Sequence, residues 1–107
     1  MLIRPCTRED FIRFYDKEPP WTLRAICAEQ DGKILGIGGY YILGGAAFVF
    51  TNQRGMTKRQ MVKAGMAMMQ YLGALSVPLL AKCGDEGDTA MKHYGFEPWG
   101  QFYRFAR

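Results

Sequence analysis

Two turn signals separate three consecutive apolar runs in the first half of the chain. Asp31-Gly32 lies between residues 23–29 and 34–43, and Gly44-Gly45 separates the second run from residues 46–50. Dipeptides of this kind favour the left-handed backbone of two-residue hairpin turns. The spacing therefore predicts three consecutive antiparallel strands. The last run is apolar at every position, which predicts a strand covered on both faces.

Strand-like and helix-like patterns alternate on either side of these strands. Residues 2–6 predict a first strand, and Thr7 with Asp10 predicts a capped helix that ends at Pro19-Pro20. A long helix is predicted for residues 57–75, because apolar residues recur there every three or four positions. A strand at residues 77–83, a short helix up to Tyr94 and a hairpin over residues 96–106 complete the order β-α-β-β-β-α-β-α-β-β. This order predicts an α/β (α+β) fold with a mixed sheet.

Length and composition limit the organisation of the chain. With 107 residues, of which 49% are apolar, the sequence predicts a single domain over residues 1–107. No apolar run approaches the ~18 residues of a membrane span, so we expect a soluble, cytoplasmic protein. Cys6, Cys27 and Cys83 are accompanied by the single histidine His93. Because a zinc site needs about four such ligands, we expect free thiols and no metal site.

Basic residues are concentrated in one short segment, although the formal net charge is only +4. Arg54, Lys58, Arg59 and Lys63 lie within ten positions of one another. Such a cluster can bind nucleic acid, an anionic membrane or a phosphorylated small molecule. Nucleic acid is the less favoured partner, because the cluster has no interleaved aromatic residues and no known binding motif.

Three further segments occur in an order that is typical of one protein family. They are Ile3-Arg4-Pro5-Cys6-Thr7-Arg8-Glu9-Asp10-Phe11, Gly36-Ile37-Gly38-Gly39 and Met91-Lys92-His93-Tyr94-Gly95-Phe96-Glu97-Pro98. Together they resemble the GNAT superfamily of acyl-CoA-dependent N-acetyltransferases, over nearly the whole chain. The resemblance implies a mostly antiparallel central sheet with helices on both faces. It also implies transfer of an acetyl group from acetyl-CoA to an amine.

The resemblance also implies where acetyl-CoA would bind. In that family an R/Q-x-x-G-x-G/A loop follows the strand that ends here near Phe50, and its backbone amides hold the pyrophosphate. Thr57 and Arg59 stand where the two motif glycines belong. Thr57 could still cap the helix, whereas the Arg59 side chain could either hold a phosphate or fill its space. The implied cofactor-binding residues are Phe50, Thr51, Arg54, Gly55, Met56, Thr57, Lys58 and Arg59.

The catalytic residues are implied in the same way. The family often places a tyrosine on the short last helix as general acid, and Met91 stands at that position here. Tyr94, one helical turn further on, is the predicted acid. Glu29 and Asp85, with Glu86 beside the latter, are carboxylates at predicted strand ends and are the candidate bases. Cys83 also lies at a strand end, but no histidine is paired with it.

Alternative functions stay open at this point. The sequence is similar to GNAT-like proteins of tailed bacteriophages, including an internal virion protein family, in which a Lys/Arg-rich loop replaces the glycines. That similarity favours a catalytically inactive binding or structural module, such as a virion or regulatory component. The aromatic strand Phe102-Tyr103-Arg104-Phe105 could also provide an edge for a homodimer.

Overall fold

The computed structural model describes residues 1–81, 92–99 and 102–105. Within these ranges, seven strands form one sheet with the order β1-β2-β3-β4-β5-β7-β6, and two helices flank it. The strands are β1 (Leu2–Pro5), β2 (Ala25–Gln30), β3 (Lys33–Leu43), β4 (Ala46–Gln53), β5 (Leu79–Ala81), β6 (Phe96–Trp99) and β7 (Phe102–Phe105); the helices are α1 (Arg8–Tyr15) and α2 (Lys58–Leu72). Among the strands of the described residues, β4 and β5 are the one parallel pair. The predicted mixed, mostly antiparallel fold is confirmed.

The two hairpin turns form at the predicted positions. Asp31 and Gly32 have φ values of 53° and 78°, and Gly44 and Gly45 have values of 60° and 80°. Strands β2, β3 and β4 therefore pair consecutively and antiparallel. Residues 46–50 of the third strand contact the cores on both faces, Ala47 and Val49 on the α2 face and Phe50 on the α1 face. Ala47 is its one fully buried residue, and β4 continues to Gln53, where its last three residues are exposed.

Both helices begin with a reciprocal capping box. The Thr7 hydroxyl accepts from the Asp10 N–H and the Asp10 carboxylate accepts from the Thr7 N–H, as predicted. Thr57 and Gln60 repeat the arrangement in α2. Helix α1 ends before the predicted prolines, because Asp16 adopts a left-handed φ of 58° and its N–H donates to the Ile12 carbonyl.

The helices lie on opposite faces of the sheet. Phe14 of α1 packs with Ala25, Cys27 and Ile37 on one face. On the other face, Met68 and Leu72 of α2 pack with residues of β4, β5 and β6, namely Ala47, Leu79, Ala81 and Phe96. Side chains alternate between the two faces along each strand, so a residue's position in its strand decides which helix it meets.

The end of the chain contains the predicted hairpin of β6 and β7, in which Phe96 pairs with Phe105. Strand β7 also pairs with β5, so it lies inside the sheet. The expectation that this strand offers an edge to a second chain is therefore wrong. Lys92 and His93 are helical, whereas the start of the predicted short helix lies outside the described residues. Neither α1 nor α2 has the length and apolar character that a membrane crossing needs.

Candidate functional site

A cavity of about 420 Å³ separates α2 from the sheet. Its floor is formed by β1 to β5 and its roof by one side of α2. Tyr94 and Phe96 complete the wall. The side chains from α2 that line it are Met61, Ala64, Met68, Met69 and Leu72. The cavity lies beside the parallel pair β4–β5, since Val49 and Ala81 both line it.

The loop between β4 and α2 forms one end of this cavity. Gly55 turns the chain with a φ of 72°, and the Met56 N–H donates to the Gln53 side-chain oxygen at 3.1 Å. Thr51, Gln53 and Met56 all line the cavity. Three of the predicted cofactor-binding residues, Thr51, Gly55 and Met56, therefore either line its entrance or make the turn beside it.

The first turn of α2 presents an environment suited to an anion. The capping box uses the N–H groups of Thr57 and Gln60, and no described hydrogen bond uses those of Lys58 and Arg59. The side chains of Lys58 and Arg59 are exposed. Two free N–H groups, the positive end of the helix dipole and two cationic side chains together favour a phosphate here.

Phe50 and Arg54 do not lie with Lys58 and Arg59 at the predicted anion site. Their positions in the extended chain direct them to the α1 face, as the alternation along β4 requires. The Phe50 ring lies 5.4 Å from that of Trp21, and the Arg54 guanidinium lies 4.3 Å from the centre of the Phe14 ring. Extension of the β3–β4 ladder fixes this orientation, because the Arg54 N–H donates to the Leu35 carbonyl at 2.8 Å.

Tyr94 lines the cavity and its side chain reaches α2. Its ring lies against Gly65, where an added Cβ would be 2.7 Å from Tyr94 Cζ and closer still to the hydroxyl. Gly65 thus leaves the space that lets Tyr94 reach α2. Tyr94 therefore lines the same cavity as Met56, which belongs to the loop that leads into the predicted anion site.

The candidate bases are not brought into the cavity by the described structure. The Glu29 carboxylate accepts from Arg4 at 3.2 Å, and Glu29 is not among the lining residues. Asp85 and Glu86 lie outside the described residues, as do Cys83 and Met91. No described lining residue carries a carboxylate.

Three possible metal ligands meet on the other face, which the sequence analysis did not expect. The ligand atoms of Cys6, Asp10 and Cys27 all lie within 4.8 Å of one another. Arg4 donates to both Asp10 oxygens, at 2.6 and 3.0 Å, and holds the pKa of this carboxyl well below its usual range. Burial raises the pKa of the Cys6 thiol to about 12. The cluster is therefore an ion pair beside two protonated thiols, both of them free cysteines.

Small residues of the cavity were the part of the site that sequence reasoning missed. Gly36 and Gly38 leave room for Met56 and Met68, since a Cβ at either position would lie 2.7 to 2.8 Å from a methionine side-chain atom. The helical spacing that placed Gly65 on the inner side of α2 was the available signal. This spacing indicated which face of α2 carries Gly65. Only the structure shows that Tyr94 fills the space beside it.

The fold described above is similar to that of a solved structure. The solved structure of the candidate N-acetyltransferase YhhK from E. coli, determined by NMR with coenzyme A bound, is similar over 99% of this chain and 98% of that one. The TM-score is 0.67 and the sequence identity is 15%. No family model matches the sequence, and no curated protein matches it significantly. The likeness concerns the fold.

Proposed function

We propose that this protein is an N-acetyltransferase of the GNAT type, which binds acetyl-CoA at the start of α2 and transfers the acetyl group to an amine. The observation that carries the proposal is the first turn of α2, where no described hydrogen bond uses the N–H groups of Lys58 and Arg59 and both side chains are exposed. This turn lies in the chain between Met56 and Met61, which both line the cavity. The fold likeness to a coenzyme A-bound structure supports it.

The residues at the start of α2 fit coenzyme A, although the groups that contact its phosphates differ from those that the GNAT motif uses. Thr57 serves as the helix cap, and its hydroxyl accepts from the Gln60 N–H at 3.2 Å. The side chains of Lys58 and Arg59 then add charge-assisted contacts to the hydrogen bonds that their backbone N–H groups can donate. Arg54 contacts Phe14 instead, so we assign the phosphate contacts to Lys58 and Arg59 and not to Arg54.

Acyl transfer requires two proton movements that side chains of this chain can serve. Coenzyme A supplies the thioester, whose C–S bond breaks as the amine nitrogen forms the new C–N bond. Tyr94 then donates its hydroxyl proton to the departing thiolate. A carboxylate takes the surplus proton from the amine. Of the three candidates, Glu29 is paired with Arg4 and does not line the cavity, so we assign this step to Asp85, with Glu86 beside it.

Isothermal titration calorimetry with acetyl-CoA and with coenzyme A tests the proposal. We expect binding by the wild type, weakened at least about tenfold in a Lys58→Ala/Arg59→Ala variant, because two charge-assisted contacts are lost. The matched control is Arg13→Ala/Lys17→Ala, which removes the same charge from α1 and the segment after it. Equal weakening in both variants, or no binding by folded wild-type protein, would contradict the proposal.

A second candidate function is a GNAT-fold module that binds without turnover. The observation that favours it is the absence of any carboxylate among the described residues that line the cavity. Release of free coenzyme A thiol in the presence of a panel of amines distinguishes the two. The similarity to bacteriophage proteins is not addressed by the fold likeness and stays a prediction, as do the homodimer and the cytoplasmic location.

A further inference from the structure

The cavity under α2 is larger than an acetyl group requires. Its volume of about 420 Å³ falls in the range of specific ligand pockets, which begin at roughly 300 Å³. Its lining consists of hydrocarbon, thioether and neutral polar side chains, without a charged residue among those described. A phosphate would lose its hydration there without a partner. The phosphates of a bound coenzyme must therefore stay outside.

The cavity becomes more apolar with depth. Thr51 and Gln53 line the end beside the β4–α2 loop, and both are exposed. Leu72 and Phe96, which line the other end, are buried. The opening is thus polar and adjacent to the anion site, and the interior is suited to hydrocarbon.

The wall of the cavity can adapt to its contents. Met56, Met61, Met68 and Met69 all line it, and methionine side chains are unbranched and flexible. On the opposite wall, Gly36 and Gly38 present no side chain; the side chains of Met56 and Met68 lie against them and must move aside to admit a ligand. Both features favour an apolar occupant of variable length.

We propose that this cavity holds the acyl chain of the donor, and that the preferred donor is a coenzyme A thioester of a medium-length saturated fatty acid. The inference rests on the proposed function, which places the coenzyme phosphates at the start of α2. From there an acyl chain enters between Thr51 and Met56 and extends toward Leu72. Each buried methylene group tightens binding by about fourfold.

A chain-length series tests the proposal directly. Calorimetry is carried out with coenzyme A and with its acetyl, butanoyl, hexanoyl and octanoyl thioesters. We expect affinity to rise by about fourfold per methylene until the cavity is filled. Equal affinity for acetyl-CoA and octanoyl-CoA would overturn the inference while leaving the proposed function intact. If no coenzyme A species binds, both fall.

Two matched variants test where the acyl chain lies in the cavity. Ala64 lines the cavity and Ala67 does not, although both are half-buried residues of α2. We expect Ala64→Leu to lower octanoyl-CoA affinity at least about tenfold relative to coenzyme A, because it occupies the space of several methylene groups. Ala67→Leu should keep the wild-type preference. If both variants lose the preference for octanoyl-CoA over coenzyme A, or if neither does, the acyl chain does not lie beside Ala64. Circular dichroism reports folding, and the wild-type series decides the proposal if Ala64→Leu does not fold.

Discussion

Among the described residues, Asp10 is the charged side chain that lies buried, and its partners explain how this is possible. Arg4 donates to both carboxylate oxygens, and the Thr7 N–H donates to one of them at 2.9 Å. A buried carboxylate without such partners would be strongly destabilising. One residue thus ties β1 to the start of α1 and closes the capping box.

Acid should remove the stabilisation that the ionised Asp10 carboxylate gives to the fold. The pKa of Asp10 is held well below its usual value of about 3.9, so the folded state binds fewer protons than the unfolded state. The stabilisation is therefore complete above about pH 4 and is lost as the pH falls further. We expect Asp10→Asn to cost about 2 kcal/mol at neutral pH. Urea unfolding of both proteins should show that gap closing toward about pH 3.

The exposed pair of Arg8 and Glu18 provides the control. Each side chain is 59% exposed, so Glu18→Gln should change stability by no more than about 0.5 kcal/mol at any of these pH values. A gap for Asp10→Asn that is the same in acid and at neutral pH would show that the charge of Asp10 does not stabilise the fold.

At the level of elements, the two N-caps offer a matched comparison. Thr7 and Thr57 each form a capping box, but only the helix that Thr57 begins faces the candidate anion site. We expect Thr7→Ala and Thr57→Ala each to lower stability by about 1 kcal/mol. Only Thr57→Ala should weaken coenzyme A binding, because it loosens the N–H groups of Lys58 and Arg59. Thermal unfolding and calorimetry on both variants measure the two effects, and equal coenzyme A affinity would refute the link.

The elements that the sequence predicted are those whose signals are local. Turn dipeptides, capping residues and helical spacing identified the hairpins and both helices, because neighbouring residues decide these features. The left-handed Asp16, which ends α1, left no comparable signal. Orientation of single side chains was equally hidden. Arg54 looked like part of the phosphate site, yet the strand alternation carries it to Phe14 on the opposite face.

For the whole molecule, the two faces of the sheet differ in how they are filled. On one face α1 packs directly, with Phe11 and Phe14 buried. On the other, the cavity separates much of α2 from the sheet, and Met61, Val62 and Met66 of this helix are exposed. A helix with fewer buried contacts opens at a lower free energy than the strands beneath it. The sheet therefore resists local unfolding, whereas α2 opens more readily and can be stabilised by a ligand.

Hydrogen exchange measured by mass spectrometry checks this division. In the free protein, amides in the interior of α2 should exchange at least about tenfold faster than those of β3, which pairs on both sides. Saturating octanoyl-CoA should slow exchange in α2, because it fills the cavity and adds contacts to the first turn. Peptides from α1 are the internal control and should change little.

Uniform exchange across α2 and β3 in the free protein would mean that the cavity does not weaken the attachment of the helix. Protection by coenzyme A alone, with no gain from the octanoyl chain, would confine the ligand's effect to the phosphate contacts at Lys58 and Arg59.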